Sequence, residues 1–127
     1  MSFPENLRYT KDHEWARKDG DTITIGISSF AVEQLGDITL IDLPTVGQEV
    51  KSGEVFGTIE SVKSVSDLYA AVAGKVTAVN EDLEDQPELV NESPYDKGWM
   101  VQLEASAAEF DAMLDAKAYA ALVAEEE

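Results

Sequence analysis

The sequence predicts a mainly β domain, a small sandwich or barrel, followed by a C-terminal amphipathic helix. Three observations predict it. Short apolar runs with strand-like alternation recur at regular spacing between Gly, Pro and Asp turns. Sustained helical spacing of apolar residues is confined to the C-terminal segment, with only short helical stretches before it. The chain has 127 residues, enough for one real core and too few for two domains of ordinary size. A single domain over residues 1–127 is expected, with its core at about 6–104 and the helix at about 106–124.

Each element has its own reason. In residues 22–27, Ile23, Ile25 and Ile27 fall on one face with Thr22 and Thr24 on the other, so a half-buried antiparallel strand is expected after the Lys18-Asp19-Gly20-Asp21 turn. Ser28 or Ser29 caps a short helix in which Phe30, Ala31, Gln34 and Leu35 keep helical spacing until Gly36 closes it. Residues 38–43 return to strand and end at Pro44, and Thr45-Val46-Gly47-Gln48 reads as a turn. Strands follow at 55–62, 65–71, 74–79 and 99–103. Residues 80–98, rich in Glu, Asp, Asn and Pro, read as a surface excursion with at most one helical turn near Leu83. In the final helix Ser106 and Glu109 match a capping box, and Phe110, Met113, Leu114, Ala118, Ala121 and Leu122 line the face expected to dock on the β core. Glu125-Glu126-Glu127 reads as a solvated, frayed end.

Composition excludes several function classes. With 26 acidic and 9 basic residues the net charge is −17, which repels nucleic acid and anionic membranes and favours partners with basic surfaces. There is no cysteine, hence no disulfide, thiolate metal site or cysteine nucleophile, and a single histidine excludes a multi-histidine metal centre. Redox chemistry would have to come from a cofactor. Neither a signal or transit pattern nor a membrane-length apolar run is apparent, so a cytoplasmic and bacterial protein is expected, with a mature organelle form as the alternative.

The candidate functional residue is Lys63. It lies between two strand-like runs, ten residues after Gly53 and eleven before Gly74, and a side chain at a hairpin tip is reachable by another protein's active site. An exposed lysine keeps its proton at neutral pH and is a poor nucleophile, so something must convert it. Acylation by a lipoyl group removes the charge and builds an arm reaching on the order of 14 Å from the backbone. Its dithiolane supplies the disulfide chemistry that the polypeptide lacks.

The blocks YTKDHEW (9–15), GISSF (26–30), EQLGDI (33–38), LPTVG (43–47), ESVKSVSDLYA (60–70), NEDL (80–83), PELVNESPY (87–95) and GWM (98–100) together resemble the glycine cleavage system H protein family. They run in order from about residue 6 to residue 122. The resemblance implies a barrel-sandwich hybrid related to lipoyl and biotinyl domains, with Lys63 as N6-lipoyllysine. It implies a carrier that is not itself an enzyme. In that family the arm takes an aminomethyl group from a pyridoxal-phosphate glycine decarboxylase and delivers it to a tetrahydrofolate-dependent aminomethyltransferase. A dihydrolipoyl dehydrogenase then reoxidises the dithiol. Glu60, Ser61, Val62, Ser64, Val65 and Asp67 occupy the family's positions around the modified lysine and are candidates for recognition by lipoate-attaching enzymes, with Asp67 also near the arm. Glu14 is the candidate carboxylate for a cleft that shelters a cationic, loaded arm. Ala71 and Ala73 replace the more usual proline and serine, and no role is carried onto Phe30.

Alternative readings stand beside these. A biotin carrier usually places methionine on both sides of its lysine, where Val62 and Ser64 stand here, and a lipoyl domain of a 2-oxo acid dehydrogenase typically has an acidic residue directly before it. An acidic interaction protein without cofactor, or a lipoyl relay that donates its group to other carriers, are further readings. His13 is expected to be a strand-end histidine satisfied by a backbone carbonyl, and Trp15 and Trp99 to be core residues. The acidic run at 81–85 lacks the glycine and terminal glutamate of a calcium loop and reads as a solvated face. Asn91, Pro87 and Pro94 read either as ordinary loop residues or as a docking surface. A monomer is expected, since a carrier must be released between visits.

Overall fold

The computed structural model describes residues 3–105 and 107–126. Among them nine strands form two sheets. Strands β1 (Arg8–Tyr9), β2 (Glu14–Asp19), β3 (Thr22–Ile27), β4 (Ile38–Asp42), β5 (Glu49–Val50), β6 (Val55–Ser61), β7 (Val65–Tyr69), β8 (Gly74–Val79) and β9 (Val101–Glu104) alternate with five short helices. The larger sheet has the order β1-β2-β3-β9-β8-β5, and the smaller the order β4-β6-β7. All the strand pairings are antiparallel. The main core fills the space between the sheets with Ile23, Ile25, Ile41, Ile59, Leu68, Val76 and Leu103 among its residues.

The expected strand at 22–27 is present, but it is buried on both faces. β3 is a central strand, flanked by β2 and β9, and Thr24 is as buried as Ile25. Its hydroxyl is satisfied there, accepting from Gln102 Nε2 at 3.2 Å. Gly26 is buried because Trp15 lies over it: a Cβ at that position would stand 2.6 Å from the indole ring. Helix α1 (Ser29–Leu35) starts as expected, with Ser28 Oγ accepting from the Ala31 N–H at 3.3 Å, and ends at Gly36, whose φ is +77°.

Three expectations are corrected. The 80–98 excursion holds two helical turns, α2 (Asp82–Asp85) and α3 (Leu89–Glu92), because Leu83 and Val90 are fully buried plugs into the main core. The C-terminal helix is two helices, α4 (Ala107–Asp111) and α5 (Ala116–Glu126). Between them Leu114 exchanges both backbone hydrogen bonds with Tyr9, at 2.8 and 3.0 Å, and Asp115 Oδ1 then caps the second helix by accepting from Ala118 N. This break resets the helical phase, so α5 buries Tyr119 and Val123 while Ala118 and Ala121 face solvent. The proposed capping serine, Ser106, lies outside the described residues, and Glu109 Oε1 accepts from Ala73 N at 3.1 Å. Finally, Glu125 and Glu126 are exposed as expected but belong to α5, and Glu126 pairs with His13 at 3.3 Å, so the end is not frayed there; Glu127 lies outside the described residues.

A second, aromatic core closes the β1–β2 side of the molecule with Phe3, Tyr9, Trp15, Phe30 and Tyr119. Tyr9 and Tyr119 stack with ring centroids 4.6 Å apart and planes 6° from parallel. No helix among the described residues is long and apolar enough to cross a membrane.

Candidate functional site

Lys63 stands on the tight connection between β6 and β7 and is exposed. The turn is locked by Ser61. Its backbone N–H donates to Ser64 O at 2.8 Å, and its hydroxyl accepts from the N–H groups of Lys63 and Ser64, each at 3.2 Å. The tip is also tied to β4's approach, since Val62 N donates to Asp37 O at 3.0 Å. The lysine side chain is therefore exposed while its backbone is held.

The stem of Lys63 lies over Gly36. A Cβ built on Gly36 would be 3.3 Å from Lys63 Cε and 3.7 Å from Nζ, so a larger residue there would crowd the lysine as well as oppose the positive φ. Asn91 holds this platform from below. Its Oδ1 accepts from Ile38 N at 2.9 Å and its Nδ2 donates to Gly36 O at 2.8 Å. Asn91 thus has a structural role that reading it as a loop residue missed. The only signal for it in the sequence was its place inside the PELVNESPY block.

Beside the hairpin a cleft of about 300 Å³ opens between β7, α1 and the turn before β2. Ser66, Asp67 and Leu68 wall it on the hairpin side, Phe30, Gln34 and Leu35 on the helix side, and His13, Glu14 and Glu126 at the far side. The structure so brings two of the candidates, Glu14 and Asp67, to one cleft next to Lys63. Glu60, Ser61, Val62, Ser64 and Val65 cluster instead on the hairpin itself, outside its lining.

Glu14 is buried, at 3% exposure, and its Oε1 accepts from Thr10 Oγ1 at 2.6 Å. Burial pushes its carboxyl up to about 8, helped by the nearby Asp12 and opposed by hydrogen bonds from Thr10 and the Tyr69 backbone. Near neutral pH the group is thus mostly a neutral acid facing the cleft.

His13 precedes it with φ +72°, the single non-glycine residue of positive φ among those described. Its Nδ1 is 2.8 Å from Tyr119 Oη, which is itself 2.6 Å from Ser28 Oγ, and its ring tilts against Phe30. Side chains satisfy this histidine, correcting the expected backbone carbonyl. The network fixes the turn that delivers Glu14 and ties it to α5. Trp15 is a core residue as expected, its Nε1 donating to Pro94 O at 2.9 Å, and Trp99 packs half-buried against the aromatic core. No acidic or histidine cluster suited to a metal ion occurs among the described residues.

Fold and site together define a class of protein: a small two-sheet β domain that holds out one lysine on a hairpin beside a cleft with a buried carboxyl. A family model described as glycine cleavage H-protein matches residues 7–126. A glycine cleavage system H protein from Anaeromyxobacter sp. (strain K) is 52% identical over 128 residues, covering 100% of both chains. One from Bacteroides fragilis is 52% identical over 124 residues, covering 97% of this chain and 98% of the relative. The crystal structure of a glycine cleavage system H protein from Mycobacterium marinum superposes with a TM-score of 0.89 at 38% identity, covering 96% of this chain and 99% of that one. The chain belongs to the glycine cleavage H-protein family, and its fold is the barrel-sandwich hybrid which that resemblance implies.

Proposed function

We propose that this chain is the covalent lipoyl carrier of a glycine cleavage system, with lipoate joined to Lys63 Nζ. The observation that carries the reading is an exposed lysine on a locked hairpin, its stem over Gly36, beside a cleft that holds a buried carboxyl. Lipoate, when bound, supplies a dithiolane that is reduced and reoxidised. The chain's own residues do the rest. Lys63 anchors the group where a separate enzyme reaches it, and Glu60, Ser61, Val62, Ser64, Val65 and Asp67 form the surface that lipoate-attaching enzymes read.

Glu14 is suited to a cationic aminomethyl cargo. An ammonium entering the cleft favours the ionised carboxyl, so the Glu14 proton leaves as the cargo arrives and the buried negative charge gains a partner. Phe30, Leu35 and Leu68 give the same space apolar walls. The carrier visits three enzymes in turn, a glycine decarboxylase, an aminomethyltransferase and a dihydrolipoyl dehydrogenase, and as a monomer with an acidic surface it is steered toward basic faces and readily released.

Intact-mass measurement of protein produced with lipoate and competent attaching enzymes tests this. One lipoyl increment is expected in the wild type and none in Lys63→Arg. Lipoylation removes one of nine basic charges against 26 acidic ones, so −17 becomes −18 and the product runs faster on a native gel. Glycine–bicarbonate exchange with the matching decarboxylase should depend on Lys63; exchange that survives Lys63→Arg would contradict the proposal.

A further inference from the structure

The outer face of the small sheet carries an unpartnered apolar patch around Lys63. Five large aliphatic side chains are strongly exposed among the described residues, and three of them, Leu40 (50%), Val62 (66%) and Val65 (64%), belong to this corner. Register places them together. Leu40 on β4 is opposite Glu60 on β6, and Glu60 is opposite Val65 on β7, so Leu40 and Val65 flank Glu60 in one row across the sheet. The next row, Ile41, Ile59 and Ser66, turns inward, with both isoleucines buried, which assigns the Leu40 row to the outside. Val62 follows Glu60 by two residues and its N–H continues the pairing to Asp37, so it extends the same face toward the tip. One row further on, Asp42, Thr58 and Asp67 lie opposite one another, and both aspartates are exposed.

An aliphatic patch banded by Glu60, Asp42 and Asp67, with Lys63 as its one cation, has a definite complement: an apolar recess rimmed by basic side chains. Deepening the carrier reading and resting on it, we infer that the enzyme acylating Lys63 docks on this sheet face and that Leu40, on a separate strand from the hairpin, is a specificity-determining contact. Attachment forms one amide bond at Lys63 Nζ, with loss of a proton and of the group that activated the lipoyl carboxyl, and no electron is transferred. The face fits an encounter of this kind because the exposed aliphatics and the carboxylates beside them lie on the lysine's own sheet, so a partner seated on them has Nζ within reach.

The test measures kcat/KM for lipoate attachment to the unmodified protein by an attaching enzyme supplied with lipoate and ATP, read by intact mass. Leu40→Asp and Val65→Thr should each lower it about tenfold, while Val46→Asp, at an equally exposed aliphatic on the 45–48 turn, leaves it unchanged. Wild-type attachment should also slow as salt is raised. Circular dichroism confirms that each variant is folded, and Val65→Thr preserves strand preference should the aspartate disturb β4. Wild-type rates in both Leu40→Asp and Val65→Thr overturn the inference and leave the carrier reading intact. Normal attachment with impaired glycine exchange also overturns it, by assigning the face to an enzyme of the cycle. A wild-type protein that takes no lipoyl group at all removes the carrier reading itself.

Discussion

The aromatic end and the hairpin end of this molecule are built on opposite principles. Around Tyr119, aromatic rings stack, and polar groups find each other across the chain: Tyr119 with Ser28 and His13, Tyr9 Oη with Pro4 O, Trp15 with Pro94 O. Around Lys63, the backbone is pinned but the side chains are left outward, aliphatic and acidic. One region is closed upon itself, and the other is held still with its side chains open to solvent. The cleft is the seam between them, with Glu14 from the first region and Asp67 from the second.

The sharpest way to break this contrast is to empty the closed end. Tyr119→Ala removes the stacked ring and takes one hydrogen-bond partner from each of Ser28 and His13, and should lower unfolding free energy by about 4 kcal/mol in denaturant titrations. A loss below about 1 kcal/mol would show that the aromatic core is not the anchor described. At the seam, Asn91→Ala leaves the Ile38 N–H and Gly36 carbonyl without their partner and should cost about 2 kcal/mol.

Glu14→Gln tests the cleft through pH. The folded protein holds the Glu14 proton up to about 8, against an ordinary 4.5, so the native state binds more protons than the unfolded chain between those values. Stability attributable to this group is therefore intact below pH 4.5 and declines as pH rises toward 8, remaining low above it. Glutamine does not ionise, so the variant should be more stable than wild type at pH 9 and match it at pH 4. Equal stability at both pH values would remove the argument that burial keeps this carboxyl neutral. The smallest effect belongs to the open end: Val65→Thr should change stability by less than about 0.5 kcal/mol, because its side chain touches solvent rather than core.

How legible these regions were in the sequence follows the same division. The hairpin could be read because strand alternation and turn residues are local signals, and β6, β7 and β8 lie close to their expected limits. Strands β1 and β5 are only two residues long and leave no period to detect. The face of α5 was misassigned because a backbone exchange between Leu114 and Tyr9, far apart in the chain, interrupts the helix and shifts its phase. Leu83 and Val90 lie in a segment whose composition is that of a polar surface excursion, and only the assembled sheets show the hollows they fill. Glu14 was nominated through the family resemblance; burial of a carboxyl beside Thr10 is a tertiary fact that no pattern of nearby residues announces. Asn91 is similar, since its two hydrogen bonds run to a glycine and an isoleucine on a different segment.

The pairing of Glu126 with His13 has a practical side. The final turn of α5 contributes to the wall of the cleft. An affinity tag or fusion partner joined at that end would emerge beside this cleft, where its own charges and bulk compete with anything that enters it. Preparations meant for loading assays are better extended from the other terminus, and any reported failure of a C-terminally tagged sample should be repeated with the tag cut away.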